Sequence, residues 1–273
     1  MKKIIAMMLA AIMMLSLAAC GDKTPDTPDD PAKDVLVMGT SADYAPYEFM
    51  YPDANGNMIY GGIDISVAQA IADSMGKELE VQNMSFDFLL NNLAAGKCDM
   101  VLAAIEVTPE RLESADFSDP YYTDLPKMVV VPADQAAQYK TLNDFSGKLV
   151  GAQTATTNVE IVTDQMPGAQ LNSQTAVTDM FNMLANGKLD AVVVDGAIAM
   201  QYVENNKNLA IADASGELGE ALPYCVAVAK GDPKGLLDGI NAAIAEMTAA
   251  NKLDEFIAAA DALADVAVEV SGQ

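Results

Sequence analysis

Apolar residues in this chain alternate between short continuous runs and helically spaced stripes. Val35-Leu36-Val37-Met38 is an unbroken apolar run ending at Gly39, the pattern of a strand buried on both faces. The polar stretch 40–48 after it reads as a loop, and Asp53-Ala54-Asn55-Gly56-Asn57 as a turn. Ile63, Val67, Ile71 and Met75 then recur at intervals of four, which predicts a helix that Gly76 is placed to end. Leu79-Glu80-Val81 begins a second strand, residues 86–95 a second helix and residues 99–105 a third strand.

The second half follows the same rule. Residues 148–152 form a strand, residues 153–158 open a helix, and residues 209–211 make a weak strand. Residues 224–228 are a strand that returns the chain to its first half. Residues 236–260 are helical, with Leu237, Ile240, Ile244 and Met247 on one stripe. An internal echo joins the halves: Leu93-Ala94-Ala95-Gly96-Lys97-Cys98-Asp99-Met100-Val101 recurs as Leu184-Ala185-Asn186-Gly187-Lys188-Leu189-Asp190-Ala191-Val192. Each copy is a helix end, a Gly-Lys turn and an Asp leading into an apolar strand. The alternation predicts α/β architecture with parallel sheets covered on both faces, in two similar lobes. In such sheets, ligand sites lie in loops beyond the carboxyl ends of strands, and the 40–48 loop is one of these.

The N-terminus breaks this pattern. Residues 1–20 carry two lysines, an apolar run too short for a comfortable membrane span, and small residues before Cys20. They are expected to be a secretory signal, and Leu17-Ala18-Ala19-Cys20 resembles a lipobox, where cleavage leaves a lipidated cysteine. Residues 21–34 are rich in Asp, Pro and Thr and too polar to bury a core, so they form a tether. A lipid on Cys20 anchors a chain to a membrane without spanning it.

Composition narrows the chemistry. A net charge of −24, reaching −26 once both signal lysines are removed, repels nucleic acid and anionic lipid headgroups. The absence of histidine excludes Ser–His and Cys–His nucleophile pairs and any His-ligated metal. Neither a cofactor nor a metal is called for. Cys98 and Cys225 both sit in apolar runs, which favours buried thiols over a disulfide.

Against this background Arg111 stands out as the single arginine in 273 residues. A guanidinium grips a carboxylate through two parallel hydrogen bonds, which a lysine cannot do, although a surface arginine at a helix start is the plainer alternative. It lies in Thr108-Pro109-Glu110-Arg111, shortly before Asp116-Phe117-Ser118-Asp119-Pro120-Tyr121-Tyr122. This long ordered pattern resembles the polar amino-acid-binding proteins of ABC importers, the family-3 extracellular solute-binding proteins, over roughly residues 35–257.

The resemblance implies a two-lobe periplasmic-binding-protein-like fold of type II, with a ligand cleft between lobes joined by two crossing segments. Lobe 1 takes residues 35–122 plus 224–273, and lobe 2 takes residues 123–223. It further implies that Arg111 clamps an α-carboxylate with Thr156 and Thr157, and that Asp195 accepts the α-ammonium. Tyr44 and Phe86 face the ligand from opposite sides, and Ala103 and Ala104 offer it backbone groups. Three residues depart from the family pattern: Ala155 stands for a glycine, Ser41 for the aspartate of many basic-amino-acid binders, and Glu106 for a Thr or Ser. A glutamate beside Asp195 needs an offset. That is a ligand with extra positive charge, a protonated carboxyl, or a protein cation, for which Arg111 is the obvious candidate.

The expected function is an extracytoplasmic, lipid-anchored monomeric receptor that closes on an amino acid and presents it to ABC permease subunits, without catalysis. An amino-acid-sensing domain and a dehydratase-like enzyme with Glu106 as its acid are the alternatives on the same fold.

Overall fold

The computed structural model describes residues 34–271, with side chains described to residue 264. The expected signal, Cys20 and all but the last residue of the tether lie outside the described residues.

The chain opens on β1 (Val35–Thr40), followed by a small antiparallel sheet of β2 (Asp43–Tyr44), β3 (Glu48–Pro52) and β4 (Met58–Gly61). Helix α1 (Ile63–Ser74) and β5 (Glu78–Asn83) come next, then a 3-10 turn at Phe86–Phe88 that leads into α2 (Leu89–Ala94). Then β6 (Met100–Val101), α3 (Arg111–Ser114) and β7 (Ala115–Thr123) complete the first pass. The chain crosses into β8 (Met128–Pro132), β9 (Leu149–Gln153), α4 (Thr157–Glu160) and β10 (Gln170–Gln174). It continues through α5 (Val177–Ala185), β11 (Ala191–Val194), α6 (Gly196–Asn205) and β12 (Leu209–Ile211). It then returns as β13 (Pro223–Ala229), α7 (Leu237–Ala249) and α8 (Lys252–Ser271).

Two five-stranded sheets result, β5-β1-β6-β13-β7 and β10-β9-β11-β8-β12. They are mixed, which corrects the all-parallel expectation: β13 is antiparallel to β6 and β7, and β8 to β11 and β12. In each sheet the reversed strand is the one the chain enters from the other sheet. A strand reached by such a crossing escapes the helical crossover that parallel neighbours need. The small sheet was also absent from the sequence reading, which placed a loop over 40–48.

Side chains of the first sheet alternate between its faces. Leu36, Met38, Met100, Val226 and Val228 pack toward Val67 and Ile71 of α1 and Ile240 and Ile244 of α7. Val101, Ala103 and Ala227 pack on the other face against Leu89, Leu93 and Cys98. Each fully buried Val or Ile contributes roughly 1.5–3 kcal/mol, so Ile63, Val67 and Ile71 are what bind α1 to the sheet. The second sheet repeats the plan, with Val130, Val192 and Val194 toward α5 and α6, and Val129, Val150 and Val193 toward Phe145 and Val162. Cys98 and Cys225 are free and buried, and burial pushes both thiols up to about 11.

The internal echo has one geometry in both copies. Lys97 N–H donates to Asn92 O and Lys188 N–H to Met183 O, at 3.0 and 2.9 Å. The next acid then accepts from the parallel strand beside the one it leads into. Asp99 Oδ2 takes Val37 N–H and Asp190 Oδ2 takes Leu149 N–H, both at 2.8 Å. The repeated Asp is therefore a register pin between a turn and a neighbouring strand.

Candidate functional site

The residues flagged by the resemblance meet where the two sheets face each other. Tyr44, Phe86, Ala103, Ala104, Glu106, Arg111, Thr156, Thr157 and Asp195 line one cavity, together with Ser41, Glu48 and Gln153.

Tyr44 is set by the start of α1. Ile63 N–H donates to Pro46 O at 3.0 Å and Asp64 N–H to Tyr47 O at 2.9 Å, so free helix-start donors hold the 44–48 loop. The approach is close enough that Gly62, at φ 124°, has no room for a Cβ: one would stand 2.1 Å from Tyr47 O. Asp64 also ties α1 to the segment after β6 and to β7. Its Oδ2 accepts Ala104 N–H at 2.7 Å, which holds Ala104 at φ 47°, and its Oδ1 accepts the Tyr121 hydroxyl at 2.7 Å.

Asp195 stands at the N-cap position of α6, its side chain turned to other partners, and is 6% exposed. Its Oδ2 accepts the Tyr44 hydroxyl at 2.7 Å across the cleft. Its Oδ1 lies 2.5 Å from Lys127 Nζ, which in turn lies 3.1 Å from Glu106 Oε1. Gly196 makes this approach possible, since a Cβ there would come within 2.5 Å of Leu125 Cβ and 2.6 Å of Pro126 O. Burial alone raises the Asp195 pKa, but the Lys127 charge and the bonds from Lys127, Tyr44 and Tyr224 hold it below the usual carboxylate value. Burial likewise works against the Lys127 charge, and Asp195 and Glu106 outweigh it, keeping its pKa above that of a free lysine.

Glu106 therefore has a protein cation, and it is Lys127 rather than Arg111. The second carboxylate oxygen of Glu106 accepts the Thr157 hydroxyl. Arg111 instead donates to two backbone carbonyls, from Nη1 to Glu106 O at 2.7 Å and from Nη2 to Ala155 O at 3.0 Å. Its guanidinium lies 5.4 Å from the Phe86 ring centroid, in cation–π range. Burial lowers the Arg111 pKa from its ordinary value, against the pull of Glu106 and Asp195. Ala155 holds φ 63°, the left-handed conformation that the glycine of the family pattern adopts more readily. The Thr156 hydroxyl donates to Gln153 O at 2.7 Å, so neither threonine hydroxyl is idle.

Glu48 is the residue that sequence reasoning passed over. It is 1% exposed and its Oε2 has no hydrogen-bond partner among the described residues. Burial, with Asp64 and Asp43 nearby, raises its pKa well above the ordinary value, while burial pushes its neighbour Asp64 up to about 6. The interaction between the two acids raises the pKa of Glu48 and lowers that of Asp64. Lys127 and Gln153 were also missed. A lysine ahead of an apolar strand and a glutamine at a strand end carry no local signal. The sequence signal for Glu48 was its place two residues beyond Pro46 in a loop already suspected of ligand contact.

Comparison with known proteins identifies the family and the fold. A model of the bacterial extracellular solute-binding proteins, family 3, matches residues 36–259. The arginine-binding extracellular protein ArtP of Bacillus subtilis is 33% identical, over 93% of this chain and 96% of its own. A probable histidine-binding protein of Campylobacter jejuni is 29% identical over 90% and 93%. The crystal structure of AbpA, an amino acid ABC transporter substrate-binding protein from Streptococcus pneumoniae bound to L-arginine, superposes with a TM-score of 0.79. It is 33% identical and covers 85% of this chain and 96% of its own.

Proposed function

This chain belongs to the bacterial extracellular solute-binding proteins of family 3, and from that premise we propose that it is the arginine receptor of an ABC importer. In this reading Arg111 receives the α-carboxylate. Two of its five N–H donors are fixed by carbonyls on the two sides of the cleft, which leaves an oriented guanidinium with donors to spare. Asp195 receives the α-ammonium, and Tyr44 and Phe86 flank the side chain.

Glu48 carries the choice of ligand. It is a buried carboxyl on the cavity wall with an unpartnered oxygen, and the charges acting on it come from Asp64, Asp43 and Asp195, all acids. A buried acid in that state is costly until a positive group reaches it. A ligand with a guanidinium at the end of its side chain supplies one, while a neutral amino acid leaves Glu48 as it is. The arginine-binding relatives support the same ligand.

The two lobes are joined through residues 124–127 and 219–222, and closure about these segments supplies the ligand-dependent shape a permease reads. The expected lipid on Cys20 and the 21–34 tether hold the receptor at the membrane surface. Among the described residues no helix is long and apolar enough to cross a membrane.

Mass spectrometry of the ligand released from purified protein, followed by titration with arginine, lysine and glutamine, tests this reading. Arginine should bind with one-to-one stoichiometry and without turnover, and Glu48→Gln should weaken arginine while leaving glutamine unchanged. Tighter binding of glutamine than of arginine by the wild type contradicts the assignment.

A further inference from the structure

Lys127 occupies a position that neither the resemblance nor the proposed function assigns. Its ammonium stands 2.5 Å from Asp195 Oδ1 and 3.1 Å from Glu106 Oε1, and its side chain is only 11% exposed. The remaining oxygen of Asp195 accepts from Tyr44, and that of Glu106 from Thr157. A primary ammonium between these two acids has the chemistry and the contacts of an amino acid's α-ammonium. The residue comes from the irregular 124–127 crossing segment, so a four-carbon stem delivers this cation from the hinge rather than from a rigid element.

We propose that Lys127 is a built-in stand-in for the ligand's α-ammonium, exchanging with it on Asp195 and so setting the receptor's affinity for α-amino ligands. The proposal rests on Asp195 being the ammonium acceptor. Two ammonium groups cannot share these carboxylates comfortably, because like charges in contact inside a buried cleft repel strongly. The incoming ammonium therefore displaces Lys127 from Asp195. When the ligand leaves, Lys127 returns and spares two neighbouring buried acids from facing each other unpaired. Ligands without an α-amine leave Lys127 in place, and both acids keep their shared cation.

This gives Lys127→Met opposite effects on two ligands, which a purely structural lysine cannot produce. Calorimetric titration compares wild type and Lys127→Met with arginine and with 5-guanidinopentanoic acid, which is arginine lacking its α-amine. The expected result is arginine binding about tenfold tighter in the variant and the des-amino compound about tenfold weaker. Parallel weakening of both ligands, or no change in either, overturns the proposal while leaving the receptor reading intact. Failure of the wild type to bind arginine overturns the receptor reading and this proposal with it. Should the variant fail to fold, the Nζ resonance of Lys127 in the wild type, assigned through its own backbone, decides. Movement to the free-ammonium position on saturation with arginine supports exchange, and an unmoved resonance overturns it.

Discussion

The Tyr44 hydroxyl and Asp195 Oδ2 lie 2.7 Å apart, joining residues 151 positions apart in sequence across the cleft. One comes from β2, just after the first strand of the first sheet, the other from the start of a helix packed on the second. The bond is therefore present only when the two sides approach each other, and it is buried and charge-assisted. Such bonds contribute about 1.5–3 kcal/mol. Tyr44→Phe keeps the ring and removes the bond, so it should weaken ligand binding by roughly tenfold or more. Calorimetric titration of the variant checks this, and unchanged affinity places the closed state's stability elsewhere.

Glu48 links binding to protons. Its pKa is raised well above normal by burial and by Asp64 and Asp43, so it keeps its proton to higher pH than a free glutamate does. A guanidinium arriving beside it favours the ionised form and expels that proton. Arginine affinity should therefore rise with pH, by up to about tenfold per pH unit while Glu48 is protonated in the free protein. Titrations in buffers of different ionisation enthalpy should show about one proton released by the wild type and none by Glu48→Gln.

Ala155 offers a test confined to the backbone. It holds φ 63° while its carbonyl accepts from Arg111, and an L-residue in that conformation costs about 1–2 kcal/mol. Glycine removes that cost and adds about 0.4–1 kcal/mol of unfolded-state entropy. Ala155→Gly should therefore raise the melting temperature slightly or leave it unchanged. A clear fall means that the alanine methyl contributes packing that outweighs the strain.

Much of the fold could be read from the chain because its apolar residues keep strict periods. The stripe Ile63, Val67, Ile71 is the buried face of α1, and Val35–Thr40 is an inner strand of its sheet, as the buried run suggested. Strand direction could not be read, because an apolar run looks the same in either sense. The charged cluster divides in the same way. Arg111 and Asp195 were found through an ordered motif, and Glu106 was recognised as an acid needing an offset. Its partner was not recognised, because Lys127 has no distinctive neighbours in sequence and reaches Glu106 only through the packing of Gly196 on Leu125 and Pro126. Glu48 and Asp64 escaped notice for a related reason. Acids beside a turn and at a helix start are commonplace, and only burial makes these two unusual.

The central claim is that Arg111 and Asp195 hold the two charged ends of an amino acid's backbone. Calorimetric titration of arginine against wild type, Arg111→Met and Asp195→Ala tests it most directly, with melting curves confirming that each variant folds. Removing either partner of a desolvated charge pair costs about 2–5 kcal/mol, so each variant should bind more than tenfold more weakly. Affinity within about tenfold of wild type in either folded variant contradicts the claim.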